Sequence, residues 1–281
     1  MALPDYSVLM SVYKKEEPDN LKRSIESMLA QTVVTNDFVL ICDGPLTPGL
    51  DGVIAEKEKE YPGLFNVIRF ETNQGLGHAL QVGILKCKNE IIARMDSDDI
   101  SKPDRCEKEL AYLDAHPGIG IVGSLIEEFS EMAPDEVIPQ NIERRREVPE
   151  NYSDIVEFAK YRNPYNHPSV MYRREAVLKG GNYQTVRYMQ DYYLWIHMIL
   201  AGVEGYNIQE PLVCMRVNSN FFMRKQGKEY RRLQINLFRY MRDQGFITNG
   251  QYLRSVSIRT ASALSPNWMR GFMFKKVLRK S

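Results

Sequence analysis

The sequence predicts an α/β fold: a mostly parallel central sheet flanked by helices, with a helical extension at the C-terminus. Three observations lead there. Apolar runs of strand length at 7–12, 38–42 and 91–95 are near-continuous, as strands covered on both faces require. Stretches with helical spacing lie between the strand-like runs, so the order reads β-α-β-α-β-α-β. Each run ends in polar residues or glycine, and open α/β sheets bind ligands just beyond the carboxyl ends of their strands.

The first strand, 7–12, is followed by a helix opening at Pro18-Asp19-Asn20-Leu21, with Leu21, Ile25, Met28 and Leu29 on one stripe. The second strand, 38–42, stops at Asp43-Gly44-Pro45. A helical stretch at 52–61 leads to a third strand at 65–70. Asn73-Gln74-Gly75-Leu76-Gly77 then opens a helix that runs through Leu85. A dinucleotide fingerprint fails here, because Leu80 stands where a third glycine or alanine belongs, and no P-loop pattern occurs.

The fourth strand, Ile91-Ile92-Ala93-Arg94-Met95, runs into Asp96-Ser97-Asp98-Asp99. Carboxylates this close repel one another. Hard oxygen ligands suit Mg2+ or Mn2+, which take one or two carboxylates and fill their other positions with water and phosphate. The cluster points to a metal–diphosphate site with Asp96 and Asp98 near the metal. The competing reading is local: Asp and Ser gather in turns and caps, and Ser101-Lys102-Pro103 looks like a cap with an early helical proline. A calcium EF-hand is excluded, since Ile100 and Ser101 occupy positions where its loop needs an acid or amide and a glycine.

Composition narrows the class. The 281 residues are 43% apolar and 26% charged, values of a globular protein with a sizeable core. A net charge of +1 selects neither nucleic acid nor membrane by global field. Cys42, Cys87, Cys106 and Cys214 are scattered, so a structural zinc site is not expected and a reducing, cytoplasmic setting is. A signal peptide before Asp5-Tyr6-Ser7 is not expected, and no apolar run approaches the roughly 20 residues of a spanning helix.

The ordered set Ser11-Val12-Tyr13, Asp43, Asn73-x-Gly75-x-Gly77 and Asp96-Ser97-Asp98-Asp99 resembles family 2 glycosyltransferases, which have the type A nucleotide-sugar-binding fold. Within that family it is similar to bacterial capsular and exopolysaccharide enzymes of the amylovoran type, from about Tyr6 to about Arg224. The resemblance implies that Ser11, Val12, Tyr13 and Glu16 border the nucleotide and that Asp43 meets a uracil base. Asn73, Gly75 and Ser97 belong to the same donor site, and Asp96 lies by the ribose. Asp98 is implied as the metal ligand on the diphosphate, the second acid of a DXD motif, with Asp99 facing donor sugar or acceptor. The family usually carries a second Asp after the one matching Asp43, where this chain has Gly44.

Beyond the acids, 103–115 reads as a helix closed by His116-Pro117-Gly118, and 119–124 as another buried strand. Residues 131–153 are polar, and Arg144-Arg145-Arg146 reads as a solvated or mobile loop or, alternatively, a phosphate clamp. His167, in Asn166-His167-Pro168-Ser169, resembles a family segment on the acceptor side and equally suits a locally satisfied histidine. Asp191 opens the helix that includes Leu194, Trp195, Met198 and Ile199. As a cap it is worth about 1 kcal/mol. As a general base it gains from the helix N-terminus, which favours a carboxylate anion. The family places its base at this position, after a Glu where this chain has Gln190. A strand at 211–216 leads to Arg216, Arg224 and Lys225, which the resemblance suggests as diphosphate contacts.

Residues 1–225 are thus expected to form the nucleotide-sugar-binding catalytic domain and 226–281 a helical region. Beyond Gly250 there are seven Lys or Arg and no Asp or Glu, and 268–280 mixes basic with large apolar residues, suiting contact with an anionic bilayer. The expected function is inverting, metal-dependent transfer of one hexosyl or N-acetylhexosaminyl unit from a nucleotide-sugar, read as a UDP-sugar. The expected acceptor is a polysaccharide precursor on a polyprenyl diphosphate, at the cytoplasmic face of the inner membrane. The Gln-x-x-Arg-Trp signature of processive synthases is absent. Two other classes compete. A sugar nucleotidyltransferase would want glycine after strand one, where Tyr13-Lys14-Lys15-Glu16-Glu17 has none. A non-catalytic nucleotide-sugar-binding module would not need Asp96, Asp98 and Asp191 together.

Overall fold

A computed structural model describes residues 3–217 and 228–264. Two compact units emerge, one from the described parts of 1–156 and 163–217, the other from those of 157–162 and 218–281. The expected boundary at 225 falls outside the described residues.

In the first unit the order is β1 (Tyr6–Val12), α1 (Pro18–Leu29), β2 (Asp37–Cys42), α2 (Pro48–Glu60), β3 (Phe65–Arg69), α3 (Leu76–Ile84), β4 (Ile91–Asp96), β5 (Ile100–Ser101) and α4 (Arg105–Ala115). It continues with β6 (Ile119–Phe129), β7 (Arg144–Arg146), α5 (Tyr152–Ala159), a 3-10 turn (His167–Ser169), β8 (Met171–Arg173), α6 (Arg174–Lys179), α7 (Gln190–Leu200) and β9 (Glu204–Arg216). The sheet order is β3-β2-β1-β4-β8-β6-β9-β5, with β7 added beside β6. Strands β3, β2, β1 and β4 are mutually parallel, and β6 and β9 pair in parallel further along. Antiparallel β8 joins the two parallel groups.

Register explains why the strand ends converge. Ser11 lies opposite both Ile41 and Asp96, and Val12 lies opposite Cys42. The carboxyl ends of β1, β2 and β4 therefore finish at one edge. Helices α3 and α7 cover one face together: Ala79, Leu80 and Ile84 share a buried cluster with Leu194, Trp195 and Met198 over Leu9, Val39 and Ile41. Gly83 lets α3 approach, since a Cβ there would stand 2.4 Å from Leu9 Cδ1.

Several local expectations are corrected. Ser101 is no helix cap: Ile100 and Ser101 pair with Cys214 and Val213 of β9, and α4 starts at Arg105. Arg144–Arg146 is a strand rather than a loop, pairing antiparallel with Ile126, Glu127 and Glu128. Helix α2 begins at Pro48, where the Thr47 hydroxyl accepts the Leu50 N–H. That is the usual cap followed by a proline at the first helical position.

Among the described residues one ion pair lies wholly inside. Arg105 and Glu109 are both 0% exposed, with Nε 3.1 Å from Oε2. Arg105 also donates to the carbonyls of Arg94 (2.8 Å) and Val170 (3.2 Å), so it braces the end of β4 from beneath.

The second unit holds α8 (Lys228–Asp243) and α9 (Asn249–Leu264). Residues 157–162 belong with them: Gln251 Nε2 donates to Tyr161 Oη (2.9 Å) and Arg259 to Tyr161 O (2.8 Å). No helix among the described residues is long and apolar enough to cross a membrane.

Candidate functional site

The site is built at the shared strand edge. Ser24 of α1 donates its hydroxyl to Asp96 O (2.6 Å), fixing the backbone where β4 ends. Arg94 and Asp96 are two apart in a strand and so share a face. Arg94 is 0% exposed, and its guanidinium forks onto both Asp96 oxygens, with Nη1 2.7 Å from Oδ2. This bidentate clamp fixes the carboxylate plane. Sequence reasoning missed Arg94; the two-residue spacing was the available signal.

Glu16, at the turn after β1, accepts from the Ser97 hydroxyl at 3.2 Å and from Asn20 Nδ2 at 3.1 Å. The first loop is thereby tied to the acid cluster. Asp98 is partly buried, and no other side chain donates a hydrogen bond to its carboxylate among the described residues. Desolvation, followed by the charges of Asp96 and Glu16, pushes its pKa up to about 7, with Arg216 acting the other way. An unneutralised negative surplus of this kind, made of hard oxygen donors, fits Mg2+ or Mn2+. Among the described residues no group of three or more His, Cys, Asp or Glu forms a metal cage. The donor set therefore suits an ion held by one or two carboxylates and completed by phosphate and water.

Asp99 corrects an expectation. It is 1% exposed, and its Oδ1 accepts the Arg216 N–H at 2.7 Å. A carboxylate so enclosed ties β9 to the acid loop and does not face a sugar. Arg216 itself is brought to the cluster: Nε donates to Asp98 O at 3.1 Å, and the guanidinium lies 4.6 Å from the Phe129 ring centroid. Arg224 and Lys225 lie outside the described residues.

Asp43 is 5% exposed and clasps the third loop. Its carboxylate accepts from Gln74 N (2.7 Å), Gly75 N (2.9 Å) and Asn73 Nδ2 (2.8 Å). Gly44 follows from this clasp. Its φ is +88°, and a Cβ would stand 2.7 Å from Asn73 N, so the family's usual Asp has no room here. Gly77 sits equally close to the far wall, where a Cβ would stand 2.3 Å from Gln184 O. The start of α3 is thus pressed against the segment leading into α7.

Asp191 occupies the first turn of α7, and Asn163 Nδ2 donates to its Oδ2. Met189, just before the helix, has φ 62° and provides no side-chain cap. Beneath lies an aromatic and basic layer. His167 Nε2 is 2.9 Å from Tyr183 Oη, and both rings pack edge-on or tilted against Trp195. Burial and the Arg94 charge push the His167 pKa well down, so its imidazole is uncharged at neutral pH. Tyr183 and Trp195 meet edge-on with centroids 6.5 Å apart, and Trp195 stands one turn along α7 from Asp191. A separate groove of about 470 Å³, lined by residues including Gly120, Arg173, Lys179 and Val203, lies at the opposite strand ends and contains none of these acids.

The profile of glycosyl transferase family 2 matches residues 7–181. The chain is 34% identical to the amylovoran biosynthesis glycosyltransferase AmsE of Erwinia amylovora, over 96% of this chain and 98% of that one. It is 30% identical to the Escherichia coli UDP-Gal:alpha-D-GlcNAc-diphosphoundecaprenol beta-1,3-galactosyltransferase, over 99% and 98%. Among solved structures, S. aureus TarS in complex with UDP-GlcNAc superposes with a TM-score of 0.67 at 16% identity, over 98% of this chain and 76% of that one. The Pyrobaculum calidifontis mannosyltransferase PcManGT, solved with GDP-Man and Mn2+, gives a TM-score of 0.59 at 13% identity, over 99% and 80%. These two structures share the fold.

Proposed function

We propose that this chain, which belongs to glycosyl transferase family 2 and is a glycosyltransferase, moves a single sugar from a UDP-sugar to a polyprenyl-diphosphate-linked glycan, with inversion. The observation that carries this reading is the packing of the Asp43-clasped loop against the start of α7: a Cβ at Gly77 would stand 2.3 Å from Gln184 O and 3.4 Å from Gln190 Cβ, next to Asp191, while β1, β2 and β4 end at the same edge. A base beside the strand ends that carry the acid cluster is what a transfer between two bound substrates needs. The galactosyltransferase relative supports the donor and acceptor classes through the substrates in its own description.

Asp191 takes the proton of an acceptor hydroxyl. The freed oxygen attacks the anomeric carbon from the face opposite the diphosphate. As that bond forms, the bond from carbon to the diphosphate oxygen breaks, and the electron pair leaves with the nucleoside diphosphate. One in-line displacement inverts the centre without an enzyme nucleophile. Asp98, with Glu16 and Asp96 beside it, would hold Mn2+ or Mg2+, which when bound supplies positive charge to the leaving diphosphate. Arg216 adds a fixed cation at the same edge. Ser11, Val12, Tyr13 and Asp43 with its clasped loop form the wall proposed to receive the nucleoside.

Thermal shift tests the donor. UDP-galactose and UDP-N-acetylglucosamine with Mn2+ are each added to the folded chain. Occupancy at 100 times Kd stabilises by about 2.7 kcal/mol. Asp98→Asn is expected to abolish the Mn2+-dependent part of the shift. A wild-type chain indifferent to every nucleotide-sugar, with or without Mn2+, would refute the reading.

A lipid-linked acceptor calls for an enzyme at the cytoplasmic membrane face. Arg254 and Arg259 rest against Tyr161 within the second unit, but Arg270, Lys275, Lys276, Arg279 and Lys280 support this, at about 1 kcal/mol each near an anionic surface. The full chain is expected to float with phosphatidylglycerol vesicles and not with phosphatidylcholine vesicles. Equal recovery with both would count against an electrostatic anchor.

A further inference from the structure

We infer that Asn163 is a positioning residue for Asp191, holding one carboxylate oxygen so that the other is presented to the acceptor hydroxyl. The inference rests on the reading of Asp191 as base. Its own support is geometric. Asn163 Nδ2 donates to Asp191 Oδ2, while its Oδ1 lies 3.4 Å from the Tyr165 N–H. An ionised carboxylate only accepts and a backbone N–H only donates, so a single amide orientation satisfies both. The amide is therefore polarised toward Asp191 by its surroundings.

The loop that carries it is seated from behind. Tyr165 is 2% exposed and meets Trp195 edge-on, with centroids 5.4 Å apart at 67°. Trp195 stands four residues after Asp191, one turn along the same face of α7. Two glycines clear the space for the tyrosine. A Cβ at Gly205 would stand 2.0 Å from Tyr165 Oη, and one at Gly123 would stand 3.1 Å from its Cδ1. Room on β6 and β9 thus seats Tyr165, Tyr165 meets the α7 tryptophan, and the amide two residues earlier meets the α7 acid. A hydrogen bond to a charged group held in this way resists rotation of the carboxylate about its own axis. A base free to rotate spends less time aimed at the acceptor.

The test uses two variants, one of them isosteric. Asn163→Ala removes the donor and the volume; Asn163→Asp keeps the shape but faces a carboxylate with a carboxylate. UDP release is followed from UDP-galactose and UDP-N-acetylglucosamine, with a synthetic GlcNAc-diphosphate lipid as acceptor. Asn163→Ala is expected to lower kcat about 10- to 100-fold with donor KM unchanged, the worth of one hydrogen bond to a charged group. Asn163→Asp is expected to lower kcat further. A role limited to filling space predicts the reverse order, with the Asp variant near wild type, and that order would overturn the inference. Should the Ala variant fail to fold, the isosteric Asp variant decides alone, with near-normal kcat counting against the proposal. Asp191→Asn, assayed in parallel, separates the two ideas. If it is inactive while both Asn163 variants turn over normally, the base stands and the positioning role falls. If it turns over normally, the base reading itself fails, and the positioning role with it.

Discussion

Asp191→Asn is expected to keep the stabilisation by donor and Mn2+ while lowering kcat by about 10²- to 10⁴-fold, the range a positioned general base contributes. The substitution is nearly isosteric, so the Asn163 contact and the first turn of α7 persist while the acceptor's proton has nowhere to go. Both Asp191 and Asp98 are carboxylates, yet their neighbours differ. Asp191 faces an amide donor at a helix start. Asp98 faces Asp96, Glu16 and Arg216 at the strand edge. The two variants should therefore fail differently. Asp98→Asn loses the metal-dependent part of donor binding; Asp191→Asn loses turnover at unchanged donor KM. Stopped assays at saturating donor and a thermal-shift titration of each variant make the comparison. A common phenotype would show that the acids do not divide the work in this way.

Arg105→Met is expected to cost about 3–5 kcal/mol of folding stability, as removal of one partner of a buried ion pair does. Arg105 bonds Glu109 and the carbonyls of Arg94 and Val170 and none of the site's acids, so the loss falls on stability rather than on the site's charges. Its loss leaves Glu109 buried without a counter-charge and releases the hydrogen bonds to Arg94 O and Val170 O. The pH dependence follows from Glu109. Burial outweighs the attraction of Arg105 and raises its pKa from 4.5 to about 7. A carboxyl raised in the folded state contributes stability that is present below its unfolded pKa and lost as pH climbs through the folded value. The deficit of Arg105→Met should therefore be larger at pH 8 than at pH 5, where Glu109 takes up a proton. Arg105→Met combined with Glu109→Leu should recover much of it. Urea melts at the two pH values compare the wild type with both variants.

Much of the donor half was legible because its signals are local. A continuous apolar run says strand, an abrupt acid says strand end, and parallel order places successive ends on one edge. Asp43, Asp96 and Asp98 needed only that. What escaped depended on distant partners. The triple arginine looked like a solvated loop because nothing in 131–153 reveals that Glu127 and Glu128 lie across from it in a sheet. Asp99 looked like its neighbours; only the course of β9, more than a hundred residues later, buries it. Asn163 carries no periodic or compositional mark at all, since its partner Asp191 is 28 residues away. Arg94 is the intermediate case. A charge in the middle of an apolar strand, two residues before an acid, states its partner in the sequence. The excursion of 157–162 into the second unit left no trace in composition.

Under its proposed role in receiving the nucleoside, the Asp43 clasp has a consequence for ligand affinity. Three donors from residues 73–75 already rest on that carboxylate, and Gly44 admits the loop at backbone distance. The wall is therefore rigid before anything arrives. Its ordering entropy is lost once, during folding, and is not charged again to each binding event. A molecule seated against it meets a surface that need not adapt, so discrimination at that end should come from fit, and any slow rearrangement in the catalytic cycle should arise elsewhere.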